Sequence, residues 1–256
     1  MVLAVDIGNS DITIGLYYQK DWKHLWRLSS AISSPELYYG IKMREHFFEA
    51  GLRVQDVEKI VVSSVVPGLT DRIVNVLKTL FEKSPIVLGP DVYAKLPIEV
   101  LNPYEIGSDL VSNALAAYMR FKRNCIVVDF GTALTFTTVS DKGSILGVAI
   151  APGLKTAIKS LSQNTAKLFD VPLELPESAL GKNTVHAIQA GILLGYEGLV
   201  ISMLDRIKKE LQDDQCATLA TGGLSSIITP LKDQFTEVDP NLTLNGLRLV
   251  GELVSK

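Results

Sequence analysis

Cysteine and histidine are scarce in this chain, with two and three residues respectively among 256. Cys125 and Cys216 are too few for a disulfide framework, and both read as buried thiols. His24, His46 and His186 are scattered and form neither a metal pattern nor a Ser-His-Asp arrangement. Positive charge is not in excess either: 25 Lys and Arg against 28 Asp and Glu leave a net charge of -3. With no basic run interleaved with aromatics, nucleic acid is excluded as a partner class. The Gly-x-x-x-x-Gly-Lys loop is missing, so any phosphate chemistry must take its charge compensation from cations and amides. Before Asp6 stand only apolar residues, with no basic leader and no cleavage site, which argues against a signal peptide. The most apolar later stretch, from Ile188, is interrupted by Gln189, Tyr196 and Glu197 and reads as too polar to span a bilayer. These absences predict a soluble cytoplasmic protein with no membrane partner.

What is present is apolar patterning, with 47% hydrophobic residues in a chain long enough for two cores. The opening stretch VLAVDIGNSDITIGLYY runs as an apolar strand into Asp6, turns at Gly8, Asn9 and Ser10, and leaves as a second β-branched strand. Gly8 has no Cβ to hold a ligand off. Asn9, Ser10 and the turn's amides offer hydrogen bonds, so an anion such as phosphate can be received there. Asp6, at the strand end, can hold a hydrated Mg²⁺ beside it. An ordinary polar hairpin turn has the same pattern.

A second copy shifts that balance. CIVVDFGTALTFTTV, from Cys125, again ends an apolar strand in an aspartate, Asp129, followed by Gly131, Thr132 and a Thr-rich strand. Two such units half a chain apart predict duplicated domains facing each other across a cleft, over residues 1–114 and 115–256.

Between and after them the elements alternate as strand and helix, an α/β pattern. A strand is expected over 22–28, a helix from Pro35 to Gly51, a strand over 59–66, a helix over 70–81 and a strand over 85–89. Ser108 or Asp109 caps a helix running on through LVSNALAAYMRF. Asp109 is there either as a cap, a contribution of about 1 kcal/mol, or as a general base. In the second half, strands are expected over 125–129, 134–140 and 144–150 and a helix over 155–161. A loop-rich segment over 166–183 precedes a long helix over 184–211, whose apolar face serves the core or a subunit interface. A strand over 217–220 leads into Gly222 and Gly223, which form a tight turn or a shelf for a flat ligand, and then into another helix. DPNLTLNGLRLVGELVS closes the chain as an amphipathic helix.

An ordered set of motifs runs through these elements: DIGNS at Asp6, VSSVVPGL at Val62, NPYEIGSD at Asn102, DFGTALT at Asp129, APGL at Ala151, GKNT at Gly181, ATGG at Ala220, and the closing DPNLTLNGL. With these the chain resembles type III pantothenate kinase over almost its whole length, a family of the actin and sugar-kinase superfamily. The resemblance implies two ribonuclease H-like, actin-like ATPase domains with mixed sheets flanked by helices, and ATP-dependent phosphorylation of pantothenate toward coenzyme A.

It also implies roles. Asp6, Ile7, Gly8, Asn9, Ser10, Asp11, Ile12 and Thr13 form the first phosphate loop, Thr132 contacts ATP from the second, and Gly222 and Gly223 line the adenosine. Asp6 reaches Mg²⁺ through water, and Asp129 holds K⁺ or NH₄⁺. Asp109 is the base, and Gly107, Ser108, Asp109, Leu110 and Thr184 bind the vitamin. The family works as a homodimer with the pantothenate site at its interface.

This chain departs from the family in three places. Leu110 stands where the family has Arg, Val100 where it often has a substrate-binding Tyr, and Asp11 adds negative charge beside the phosphate turn. Tyr104 and Lys182 are the residues that could compensate. The first two changes fall on the acceptor side, which leaves open an alternative: a nucleotide-binding regulatory protein, or a kinase for another small alcohol.

Overall fold

A computed structural model describes residues 1–225, 227 and 229–254. In chain order the first half forms β1 (Val2–Ile7), β2 (Asp11–Tyr18), β3 (Asp21–Ser29), α1 (Glu36–Glu49), β4 (Lys59–Ser64), α2 (Pro67–Phe81), β5 (Ile86–Val87), α3 (Pro90–Tyr93) and α4 (Ser108–Phe121). The second half forms β6 (Cys125–Phe130), β7 (Ala133–Val139), β8 (Ile145–Pro152), α5 (Leu154–Asn164), α6 (Thr184–Gln189), α7 (Gly195–Leu211), β9 (Ala217–Thr221), β10 (Glu237–Val238) and α8 (Leu242–Leu253).

The chain divides into two compact units. The first is Met1–Ala116 with Leu242–Lys256, and the second is Ala117–Asn241. The break thus falls at Ala116/Ala117 instead of 114/115. The closing helix, which the sequence reading placed in the second domain, belongs to the first. There it packs on β1 and β4.

In the first unit the sheet order is β3-β2-β1-β4-β5. β1 pairs antiparallel with β2 and parallel with β4, and β4 runs parallel to β5. Alternation along the strands makes two faces. Leu3, Val5, Ile7, Ile12, Ile14, Ile60 and Val62 form one core with Tyr39, Met43 and Phe47 of α1 and Leu69, Ile73 and Leu77 of α2. Each such side chain contributes about 1.5–3 kcal/mol on full burial. Ala4, Asp6, Val61 and Ser63 alternate to the other face, which α8 approaches closely. A Cβ on Gly15 would lie 2.9 Å from Leu244 Cδ1, and one on Gly251 would lie 3.0 Å from Val61. Gly246 is tighter still. A Cβ there would come within 2.0 Å of the Ser112 carbonyl, so α8 crosses α4 backbone to backbone, and Ser112 Oγ donates to the Thr243 carbonyl at 2.8 Å.

The second unit repeats the plan. Its sheet order, β10-β9-β6-β7-β8, has the same sequence of pairings read from the other end: β6 antiparallel to β7, β7 antiparallel to β8, β6 parallel to β9, β9 parallel to β10. Ile126, Val128, Phe130, Leu134, Phe136 and Ala220 form its core with Leu193, Val200 and Leu204 of the long helix.

That helix runs from Thr184 to Leu211, passing through a π-helical turn at Ala190–Leu194. By length and composition it is apolar enough to cross a membrane, with a mean hydropathy of 1.6 over its best window. Leu193, Val200 and Leu204 pack into the sheet core of this unit, and Ile188 joins a smaller cluster with Ile158 and Val171, as in a helix that serves a protein core.

One expectation fails after Gly223. The helix expected there is, among the described residues, a turn followed by a 3₁₀ segment at Thr229–Gln234, with Ser226 and Ile228 outside the described residues. A two-residue strand, β10, then completes the sheet. α2 begins at Pro67, three residues earlier than expected, because proline at the first helical position gives up an amide that has no partner anyway.

Candidate active site

In the first unit, Asp6 is the penultimate residue of β1, between Thr13 of β2 and Ser63 of β4, its in-register neighbours. The turn after it is closed by the Gly8 amide, which donates to the Asp11 carbonyl at 3.0 Å. One amide expected to meet phosphate is therefore spent inside the turn. Asn9, Ser10 and Asp11 are exposed, whereas Ile7 and Ile12 are fully buried in the core and can reach a ligand only through backbone. Ser30, which sequence reasoning missed, anchors the turn. Its hydroxyl donates to the Gly8 carbonyl at 2.5 Å and its amide to the Ser10 carbonyl at 3.1 Å.

Ser63 also connects Asp6 to Asp109. The Ser63 and Ser108 hydroxyls are hydrogen-bonded at 2.9 Å. Ser108 Oγ also accepts from the Ser64 amide at 2.9 Å and donates to the Ser64 carbonyl at 3.1 Å. The first residue of α4 is thereby tied to the end of the strand beside β1. Asp109 follows directly.

The half-buried carboxyl of Asp109 accepts from the Leu110 amide through Oδ1 at 2.8 Å. Burial raises its pKa above the ordinary value, and the Leu110 amide opposes that only in part. Gly107 leaves the space for it, since a Cβ there would sit 2.4 Å from Asp109 Oδ1. Leu110 itself is 7% exposed, an apolar side chain in the core. The buried phenol of Tyr93 is pushed up to about 12 by burial and by the negative charge of Asp109. Tyr93 is another residue that sequence reasoning did not single out.

In the second unit, Asp129 is the penultimate residue of β6 and pairs in register with Thr135 and Thr221. Gly222 has φ +90°, and a Cβ on it would lie 2.5 Å from Asp129 Oδ1 and 2.7 Å from the Phe130 backbone. The glycine expected to shelve adenosine is thus packed against the aspartate. The second turn is braced through the Thr132 carbonyl, which accepts from the Gly153 amide at 3.0 Å and from Thr156 Oγ1 at 2.7 Å. The Thr132 side chain is exposed.

Thr184 opens α6, capped by Asn183, whose side chain accepts from the His186 amide. It lines an open cleft of about 510 Å³ with Gly181, Lys182, Ile188 and Gly191. Gly181 is required there, because a Cβ would lie 2.4 Å from Ala187 Cα. Tyr104 is 89% exposed.

The family model for type III pantothenate kinase matches residues 2–206. The chain belongs to the type III pantothenate kinase family. A type III pantothenate kinase of Citrifermentans bemidjiense is 41% identical over 250 residues, 98% of either chain. That of Anaeromyxobacter sp. (strain K) is 40% identical over 252 residues, 98% of this chain and 99% of the relative. The actin-like fold is shared more widely. MreB 5 of Spiroplasma citri, solved bound to AMPPNP, has a TM-score of 0.58 at 10% identity, covering 99% of this chain and 96% of its own. The ROK hexokinase from Thermus thermophilus has 0.52 at 14% identity, covering 100% and 99%. At those identities the likeness shows the fold alone, while the type III pantothenate kinases align from end to end.

Proposed function

We propose that this chain transfers the γ-phosphoryl group of ATP to the primary hydroxyl of pantothenate, giving 4'-phosphopantothenate, the first step of coenzyme A biosynthesis. What supports it is end-to-end identity of 41% with a type III pantothenate kinase, in a chain whose Asp109 carboxyl is held by burial and one amide at the start of α4.

Phosphoryl transfer asks the protein for position, charge neutralisation and a carboxylate facing the attacking hydroxyl. Asp109 takes that last part. Its raised pKa makes it a better proton acceptor than an exposed aspartate, and the missing Cβ of Gly107 leaves room for its Oδ1. Ser108 is assigned here to positioning instead of direct contact, because its hydroxyl is already engaged three times by β4. Thr184, on the wall of the 510 Å³ cleft, faces the vitamin. Asn9, Ser10 and Thr132 contact ATP through exposed side chains and backbone. Ile7, Ile12 and Leu110 contribute backbone only, and Gly223 is left as the nucleotide-facing member of its pair.

Two metal sites fit the residues present. Among the described residues no three His, Cys, Asp or Glu side chains gather, so an all-protein cage is absent and Mg²⁺ fits as a hydrated ion beside Asp6. Asp129, a single half-buried carboxylate, fits one K⁺ or NH₄⁺. Bound there, the ions neutralise charge on the transferred phosphoryl group. The same reading makes the enzyme a cytoplasmic homodimer.

The test is ADP release with ATP, Mg²⁺ and K⁺, with and without pantothenate, and mass spectrometry of the product. Pantothenate-dependent turnover yielding a phosphorylated product is expected. ADP release indifferent to pantothenate refutes the assignment.

A further inference from the structure

Asp129 shares its row of the sheet with two hydroxyls. In-register residues on neighbouring strands point to one face, so Thr135 and Thr221 flank the carboxylate on the face opposite the Phe130, Leu134 and Ala220 core. Thr135 is 8% exposed and Thr221 1% exposed. Among the described residues of the second unit, their Oγ1 atoms are the buried side-chain polar atoms with no hydrogen-bond partner. A buried hydroxyl in that state is unfavourable, and Val would fill either place with the same branched shape and no such cost. Both orphans nevertheless belong to residues on either side of one carboxylate, on strands spaced ~4.8 Å from its own.

We propose that Thr135 and Thr221 complete the cation site of Asp129, presenting neutral hydroxyl oxygens that select a singly charged ion. The inference rests on the reading of Asp129 given above. One carboxylate balances one positive charge, and hydroxyls replace water around the ion without adding charge. A divalent ion in this buried row would stay half neutralised. Gly222 lets β9 bring Thr221 this close, since any side chain following that threonine would collide with Asp129 Oδ1.

The test is thermal unfolding of the whole chain at constant ionic strength, K⁺ replacing tetramethylammonium, with Mg²⁺ and AMPPNP present. For the native sequence Tm rises with K⁺. In the combined Thr135→Val and Thr221→Val variant the apparent K⁺ dissociation constant rises tenfold or more, while Tm in tetramethylammonium equals or exceeds that of the native chain. Should the double variant fail to fold, the comparison of Thr221→Ser with Thr221→Val decides: the first keeps the K⁺ response and the second loses it. A valine variant that responds to K⁺ like the native chain, while Asp129→Asn does not, overturns the role of the threonines and leaves Asp129 as the cation ligand. An Asp129→Asn variant that still responds, or a native chain that never does, overturns the reading of Asp129 and this inference with it.

Discussion

Asp109→Asn separates activity from stability in a direction that the structure fixes. The native carboxyl is raised in pKa by burial, so folding favours its protonated form. The sign follows by linkage: once pH rises through the raised value, the native state carries a buried charge that the unfolded chain solvates freely, and stability is lost there. The amide removes that charge, keeps the shape and still accepts the 2.8 Å bond from the Leu110 amide. Stability at neutral pH is therefore unchanged or higher. Loss of a positioned proton acceptor costs about 10²–10⁴-fold in kcat, or about 2.7–5.4 kcal/mol of transition-state stabilisation at 1.36 kcal/mol per decade. In the native enzyme, kcat/KM climbs with pH along an acid limb lying above the ordinary aspartate value of 3.8. The assay is coupled ADP release across pH, with urea unfolding of both proteins. An amide variant with native kcat, or one whose activity falls only because the fold has weakened, refutes the assignment of Asp109 as base.

Three other outcomes follow from the packing. Ser108→Ala strands the Ser64 amide and lowers unfolding free energy by about 1–3 kcal/mol in urea titration. Gly246→Ala forces α8 off the Ser112 carbonyl, 2.0 Å from the new Cβ. It destabilises by about 1–3 kcal/mol or more and lowers kcat by disturbing the helix that carries Asp109, as unfolding and rate measurements on the same variant will show. Burial pushes the Cys125 thiol up to about 12 and raises that of Cys216, so neither reacts with a disulfide reagent at neutral pH until denaturant is added.

Much of this was legible along the chain because the signals are local. A strand that ends in aspartate and turns at glycine announces itself twice, at Asp6 and Asp129, and the sheets repeat one another as that echo predicted. The illegible parts are non-local. Ser108 looks like a cap or a ligand residue until Ser63, 45 positions earlier, claims its hydroxyl. Thr135 and Thr221 look like ordinary strand formers, since β-branched residues suit any sheet. Nothing in the amphipathic pattern of α8 says which sheet it joins. The one local hint is Gly246, a residue unfavourable inside a helix unless something must come very close. β10 is two residues long, too short for any pattern, and the glycine pair well before it invites a helix that the described residues do not form.

The return of α8 to the first sheet has a bearing on biogenesis. The stretch from Ala117 to Asn241 is continuous and can collapse as soon as it clears the ribosome, but the first sheet keeps an uncovered face until Leu242–Leu253 has been synthesised. The order in which a nascent chain usually matures, amino-terminal half first, is thus reversed, and the earliest-made strands wait longest for cover. Loss of Leu242–Leu253 would uncover the sheet that carries Asp6 and leave a substrate for chaperones and proteases.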